Sequence, residues 1–133
     1  MERALVDTSA WFAYVNRNDP DHARIRNVFR TFSGRLITSN FIFDETVTLC
    51  LYRMGHKIAM IAGEILLDSS AVDLVRLTQE DERKAWTLFL SRPDKTYSFT
   101  DCTSFVLMKR LGLQQAIALD ADFQQEGFLF PTN

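Results

Sequence analysis

The sequence predicts an α/β protein, a three-layer α/β/α sandwich around a mainly parallel five-stranded sheet. Three observations lead there. Short apolar runs of strand character recur along the chain, they are separated by segments with helical apolar spacing, and those segments often come in pairs. Parallel neighbours need long crossovers, and helices supply them while covering both faces of the sheet. No repeat, low-complexity tract or linker interrupts the pattern, and 133 residues suit one domain spanning 1–133.

Arg3 to Val6 forms the first expected strand, and Asp7, Thr8 and Ser9 offer capping side chains to a helix over Ala10 to Val15. Asp19-Pro20 reads as an N-cap with proline at N1. Ile25, Val28, Phe29 and Phe32 then follow at i, i+3, i+4 and i+7, predicting a helix ending near Gly34. Leu36 to Thr38 is the second strand. Thr38, Ser39 and Asn40 can cap a helix reaching Met54, where Gly55 stops it. Ile58, Ile61, Ala62 and Ile65 mark another helix, and Ala71 to Val75 the third strand.

Thr78, followed by Glu80, Asp81 and Glu82, opens a helix to about Ser91, broken at Pro93. Asp94 to Ser98 is an exposed connection. Thr100 and Asp101 start a helix to Arg110, and Gly112 ends it. Ala116 to Leu119 is the fourth strand, leading into Asp120, and Phe128 to Phe130 the fifth.

Composition narrows the function classes. Hydrophobic residues are 47% and charged residues 24% of the chain, so disorder is a poor fit. No apolar run approaches the roughly 20 residues that span a bilayer, and a cytoplasmic protein without membrane contact is the expectation. A net charge of −2 argues against a broad basic face that coats nucleic acid, but not against an enzyme with a local basic rim. Cys50 and Cys102 lie in helical stretches outside any zinc-type cluster and read as buried thiols.

In an open parallel sheet, ligands collect beyond the carboxyl ends of the strands. Asp7 follows the first strand, Asp120 follows the fourth, and Asp101 occupies the first turn of the intervening helix. Glu45 lies two turns into the helix after the second strand, among Phe41, Ile42 and Leu49, so an ionisable group shares a largely apolar helix face. Asp44 and Asp122 lie near the same place. Converging acids repel one another unless a cation stands between them, and hard divalent ions prefer oxygen ligands. Mg²⁺ or Mn²⁺ in such a site can polarise a phosphodiester and lower the pKa of an attacking water, with no nucleophilic side chain required. Taken singly, Asp7, Asp101 and Asp120 also read as helix caps or dipole partners.

With these residues in place the chain resembles the PIN-domain ribonucleases, and among them the VapC-like toxins. The resemblance spans nearly its whole length. It rests on Leu5-Val6-Asp7-Thr8-Ser9-Ala10, Thr38-Ser39 leading to Asp44-Glu45, Tyr97 through Cys102, and Ala118 through Phe123. It implies Mg²⁺ or Mn²⁺ held by Asp7, Glu45, Asp101 and Asp120, with Asp122 sharing or replacing the fourth, and endonuclease action on RNA. It also implies accessory hydroxyls at Thr8 and Ser9, homodimerisation, and a small antitoxin protein whose tail fills the acidic groove. Many relatives carry a hydroxyl two residues before the fourth acid. Here Ala118 stands there, with Thr100 as a substitute donor.

Arg17, Arg24, Arg53, His56, Lys57, Lys109 and Arg110 are candidates for a basic rim, while His22 and His56 lie far from the acid motifs. Trp11 and Trp86 have helical spacing that suits core or interface packing rather than base stacking. A receiver domain would need an acid ending the third strand, where Val75-Arg76-Leu77 stands. A dehalogenase-like phosphatase expects Asp where Ser9 is. A non-catalytic RNA- or protein-binding module on the same fold is the alternative that the residues leave open.

Overall fold

A computed structural model describes residues 2–131. The strands are β1 (Arg3–Val6), β2 (Arg35–Ser39), β3 (Val72–Val75) and β4 (Gln115–Ile117). The helices are α1 (Thr8–Val15), α2 (His22–Thr31), α3 (Asn40–Met54), α4 (His56–Asp68), α5 (Gln79–Leu90), α6 (Phe99–Leu111) and α7 (Asp122–Gln125). The sheet order is β3-β2-β1-β4 and every pairing is parallel. Paired helices connect successive strands, and for this strand order the right-handed crossover rule puts α1 to α4 on one face and α5 and α6 on the other, the sandwich that the sequence predicts. β1 and β2 are buried along almost their whole length, the signature of parallel strands covered on both sides.

Local chemistry accounts for most element ends. Ser39 caps α3 by accepting from the Ile42 amide at 3.0 Å, and Gly55, at φ 94°, makes the corner into α4. Gly112 closes α6 in the left-handed conformation at φ 68°. At Gly34 a Cβ would collide with the Glu2 carbonyl, so glycine is required where the chain enters β2.

Four expectations are corrected. The sheet has four strands among the described residues; the Phe128 to Phe130 segment contributes a single parallel bridge, Gln115 to Leu129. β4 is only three residues long and Pro131 has no N–H to extend the ladder. β4 also ends at Ile117 rather than Leu119, because the Leu119 amide leaves the sheet to donate to Ser9 Oγ at 3.1 Å. The Asp19-Pro20 pair does not cap α2. Asp19 accepts from the Asp21 amide at 2.8 Å in a turn, and the helix begins at His22. Finally, α6 begins at Phe99 with Ser98 as its cap, and Asp101 sits three residues on in a capping box.

The core packs around Leu5, Ile37, Trp11, Phe105 and Phe123, with a satellite cluster of Cys50, Ala59 and Ala62 under α3 and α4. Both cysteines are buried free thiols. No helix among the described residues is long and apolar enough to cross a membrane.

Candidate active site

The chain leaves β1 for β2 on one side and later returns to β4 on the other, so the order of connection reverses beside β1. That reversal opens a crevice at the carboxyl ends of β1 and β4. Asp7 stands there. Its amide continues the ladder by donating to the Ile117 carbonyl at 3.0 Å, and its side chain caps α1. Oδ2 accepts from the Ser9 hydroxyl at 2.9 Å and the Ser9 amide at 3.4 Å. Oδ1 is buried without a hydrogen-bond partner.

A carboxylate oxygen with no donor, in a residue only 3% exposed, is costly in its charged form. Burial, with the charges of Asp101 and Asp120 adding to it, accordingly pushes the Asp7 carboxyl up to about 7. Asp101 is raised to about 6, first by burial and then by the charges of Asp120, Asp122 and Glu45; the Ser98 amide, which donates to Oδ2 at 2.9 Å, works in the opposite direction. Asp122 is raised by burial and by Asp120, and its carboxyl lies within hydrogen-bonding reach of Asp101. Asp120 is exposed, with Oδ1 accepting from the Asp122 amide at 3.1 Å.

Asp7, Glu45, Asp101, Asp120 and Asp122 are therefore within electrostatic reach of one another, and Glu45 comes from α3, which packs against α6. Asp44 faces solvent. Among the described residues, no three Asp, Glu, His or Cys side chains already stand in ligating geometry, so an ion would draw the carboxylates together. The donor set fits a hard divalent cation: it is all oxygen, it is charged against burial, and one oxygen lacks a donor.

The accessory hydroxyls separate. Ser9 Oγ donates to Asp7 and accepts from the Leu119 amide, tying the first acid to the end of β4 and standing where Ala118 offers nothing. Thr8 turns away. It accepts from Thr46 Oγ1 of α3 at 3.5 Å. Thr100 has no side-chain bond to an acid among the described residues; its carbonyl accepts from Thr103 at 2.7 Å.

The candidate basic residues scatter. Arg110 is committed to Asp81 at 2.8 Å and Arg24 stacks over Phe130, 4.5 Å from the ring centroid. Arg17 and Lys57, together with Arg26, which was not among the candidates, instead line a cleft of about 930 Å³ between α1, α2 and α4, along with Tyr14, Ile58, Ile61 and Ile65. Lys95 is the cation that the acids do feel, since its charge opposes the rise at Asp122. Sequence reasoning missed Lys95, because only folding brings the α5–α6 connection to α7. It also missed Ser98 as the cap holding Asp101, although Ser98-Phe99-Thr100-Asp101 is a legible capping-box pattern. Trp11 is core, whereas Trp86 is 53% exposed beside Phe89 and Leu90.

Comparison with known proteins places the sequence and the fold. The PIN domain family matches residues 4–129. The 23S rRNA-specific endonuclease VapC20 of Mycobacterium tuberculosis is 37% identical over 125 residues, covering 94% of this chain and 95% of that relative. A VapC ribonuclease of Archaeoglobus fulgidus is 31% identical, covering 90% and 78% respectively. The crystal structure of the M. tuberculosis VapC20, described as a sarcin–ricin loop cleaving toxin, superimposes with a TM-score of 0.91 at 36% identity over 95% of this chain and 96% of that one. The VapBC2 structure from Rickettsia felis shares the fold with a TM-score of 0.69 at 8% identity, over 97% of both chains.

Proposed function

The chain belongs to the PIN-domain family, and from that premise we propose that it is a divalent-metal-dependent endoribonuclease, the toxin of a toxin–antitoxin pair. Residues 1–133 are read as one nuclease domain, of which Met1, Thr132 and Asn133 lie outside the described residues. The observation that carries the reading is Asp7: a buried carboxyl with an unpartnered oxygen, beside further acids, is stabilised by a proton or by a cation, and above neutral pH a cation is what offsets its charge.

Asp7, Glu45, Asp101 and Asp120 would hold Mg²⁺ or Mn²⁺, with Asp122 sharing the last position. The bound ion would polarise the phosphodiester, favour ionisation of an attacking water and stabilise the departing oxygen. The chain's own residues set the stage. Ser9 fixes Oδ2 of Asp7 and leaves Oδ1 without a protein partner, and Ser98 fixes Oδ2 of Asp101 in the same manner. Lys95, 4.0 Å from Asp94 and close enough for its charge to reach Asp122, would meet a phosphate of the RNA.

The named target of the M. tuberculosis relative makes the large ribosomal RNA the first substrate to test. Its single-stranded loop would be chosen by surface shape rather than by the acids. The antitoxin partner is drawn from the VapBC assemblies among the structural relatives; beside a tail in the acidic groove, the cleft between α1, α2 and α4, lined by apolar and basic side chains, suits an acidic amphipathic segment of it. A second copy of the chain would pack on the exposed Trp86, Phe89 and Leu90 of α5.

The test is incubation of purified protein with a structured RNA pool and with 23S rRNA, in Mg²⁺, in Mn²⁺ and in chelator, beside Asp7→Asn and Asp101→Asn. Cleavage that needs the ion and both carboxylates supports the reading. Cleavage that survives chelation, or is undiminished in both variants, would overturn it.

A further inference from the structure

Helix α7 is four residues long and has no side-chain N-cap, so its own propensity does not form it. Yet the segment entering it carries Asp120, and its first residue is Asp122. Its far end is held by an unusual amount of polar bonding for so short an element. The side chain of Glu126, the C-cap, is 8% exposed, and both of its oxygens are engaged. Arg92 donates to Oε1 through Nη2 and to Oε2 through Nε, each at 3.2 Å, and the Tyr97 hydroxyl donates to Oε2 at 2.9 Å.

Arg92 and Tyr97 both belong to the connection between α5 and α6. Tyr97 immediately precedes Ser98, whose amide and hydroxyl hold Asp101 in its capping box. One fork therefore ties the segment that places Asp101 to the helix that places Asp122, and these two carboxyls lie within hydrogen-bonding reach of each other. The apolar anchoring of α7 is separate. Phe123 packs edge-on against Phe105 with ring centroids 4.8 Å apart, and tilted against Phe128 at 6.4 Å. The buried rings keep α7 on the core, while the fork sets its rotation and register. Burial alone would raise the Glu126 carboxyl, but Arg92 and Tyr97 outweigh it and hold it below the usual range, so it stays charged.

We propose that Glu126, gripped by Arg92 and Tyr97, is a positioning residue for the metal site, acting by holding Asp122 against Asp101. The proposal rests on the reading of the acids as a divalent-cation site. Outer partners that orient ligating groups typically change metal affinity by about 10- to 100-fold when removed.

The experiment measures Mn²⁺ affinity of the full chain by electron paramagnetic resonance of free Mn²⁺, with melting temperature and RNA cleavage alongside. Wild type, Glu126→Gln and Tyr97→Phe are each examined with Asp122 intact and with Asp122→Asn. Glu126→Gln is expected to weaken Mn²⁺ binding about tenfold, and Tyr97→Phe less in the same direction. In the Asp122→Asn background both effects should shrink to under about twofold, because the route to the ion is gone. An unchanged affinity in Glu126→Gln and Tyr97→Phe, whatever their melting temperatures, overturns the proposal and leaves the fork a staple. So does an equal loss in both backgrounds. If Glu126→Gln fails to fold, Tyr97→Phe carries the test. Wild type that binds no Mn²⁺, or Asp7→Asn that binds like wild type, overturns the metal reading itself and the proposal with it.

Discussion

Replacing Asp7 by Asn should abolish cleavage and stabilise the metal-free protein. Asn keeps an oxygen to accept from Ser9 but carries no charge, so it removes the cost of ionising a buried group, against which stands the smaller cost of its own amide N–H groups at the unpartnered position of Oδ1. That cost follows from the carboxyl's displacement from its ordinary 3.8 to about 7, which corresponds to about 4 kcal/mol once the group is ionised in the fold. The sign is set by linkage. The folded state holds the Asp7 proton more tightly than the unfolded chain does. Wild-type stability is therefore full below the unfolded pKa, falls as pH rises toward 7, and stays low above it.

Allowing for relaxation around the charge and for the buried amide, Asp7→Asn should gain about 1–3 kcal/mol over wild type at pH 8 in chelator, near 3–9 °C in melting temperature for a domain of this size. The gain should vanish near pH 4. A residual slope from Asp101, raised for similar reasons, should remain in the variant. Urea denaturation of both proteins from pH 4 to 8 checks this. Adding millimolar Mg²⁺ should raise the stability of wild type and leave the variant nearly unmoved, since binding to the folded state alone stabilises it. A variant less stable than wild type at pH 8 in chelator would refute the assignment of Asp7 as a charge held against its solvation.

Other outcomes follow from the same contacts. Arg110→Ala leaves the Asp81 carboxylate, 3% exposed, with only its Thr78 bonds, and should cost about 2 kcal/mol in urea at pH 7. Burial raises Asp81 but Arg110 and Thr78 hold it below the usual range, so its contribution is present at neutral pH and the difference between the two proteins should close on acidification below about pH 4. Trp86→Glu places a charge beside the Phe89 ring, 5.5 Å away, and should convert a dimer to a monomer in sedimentation; an unchanged mass removes α5 from the interface. Ile61→Asp, in the cleft between α1, α2 and α4, should weaken binding of the antitoxin at least about tenfold in calorimetry while leaving RNA cleavage intact.

What the sequence disclosed tracks how local the physics is. β1, the Asp7 turn and the long α3 were legible because strand length, capping side chains and Gly55 act over a few residues. The same holds for the free thiols and for Trp11. The capping-box pattern at Ser98 to Asp101 was also there to be read, and overlooking it displaced the start of α6 and hid what holds Asp101. Asp19-Pro20 shows the opposite limit, because an N-cap and an aspartate turn use the same residue types and only the packing of α2 chooses between them. The fifth strand failed for a related reason: Phe128 and Phe130 have strand propensity, but a three-residue β4 followed by Pro131 gives them almost nothing to pair with.

The site divides along the same line. Glu45 was conspicuous because a carboxylate among Phe41, Ile42 and Leu49 contradicts its helix face, and such local contradictions mark functional positions. Asp122 gave no comparable signal, since it begins a four-residue helix that no periodicity announces. Its weight comes from Arg92 and Glu126, thirty-four residues apart, meeting across α7. Repulsion among the acids is a local property of each carboxylate's surroundings, but the force that opposes it is assembled from the α5–α6 connection, the end of β4 and α7 together. The fold spends stability at Asp7 to hold charge in the crevice. The polar bonds at Ser9 and Ser98 each fix one oxygen of a carboxylate, those at Glu126 fix the end of α7, and an ion would draw the carboxylates the remaining distance together.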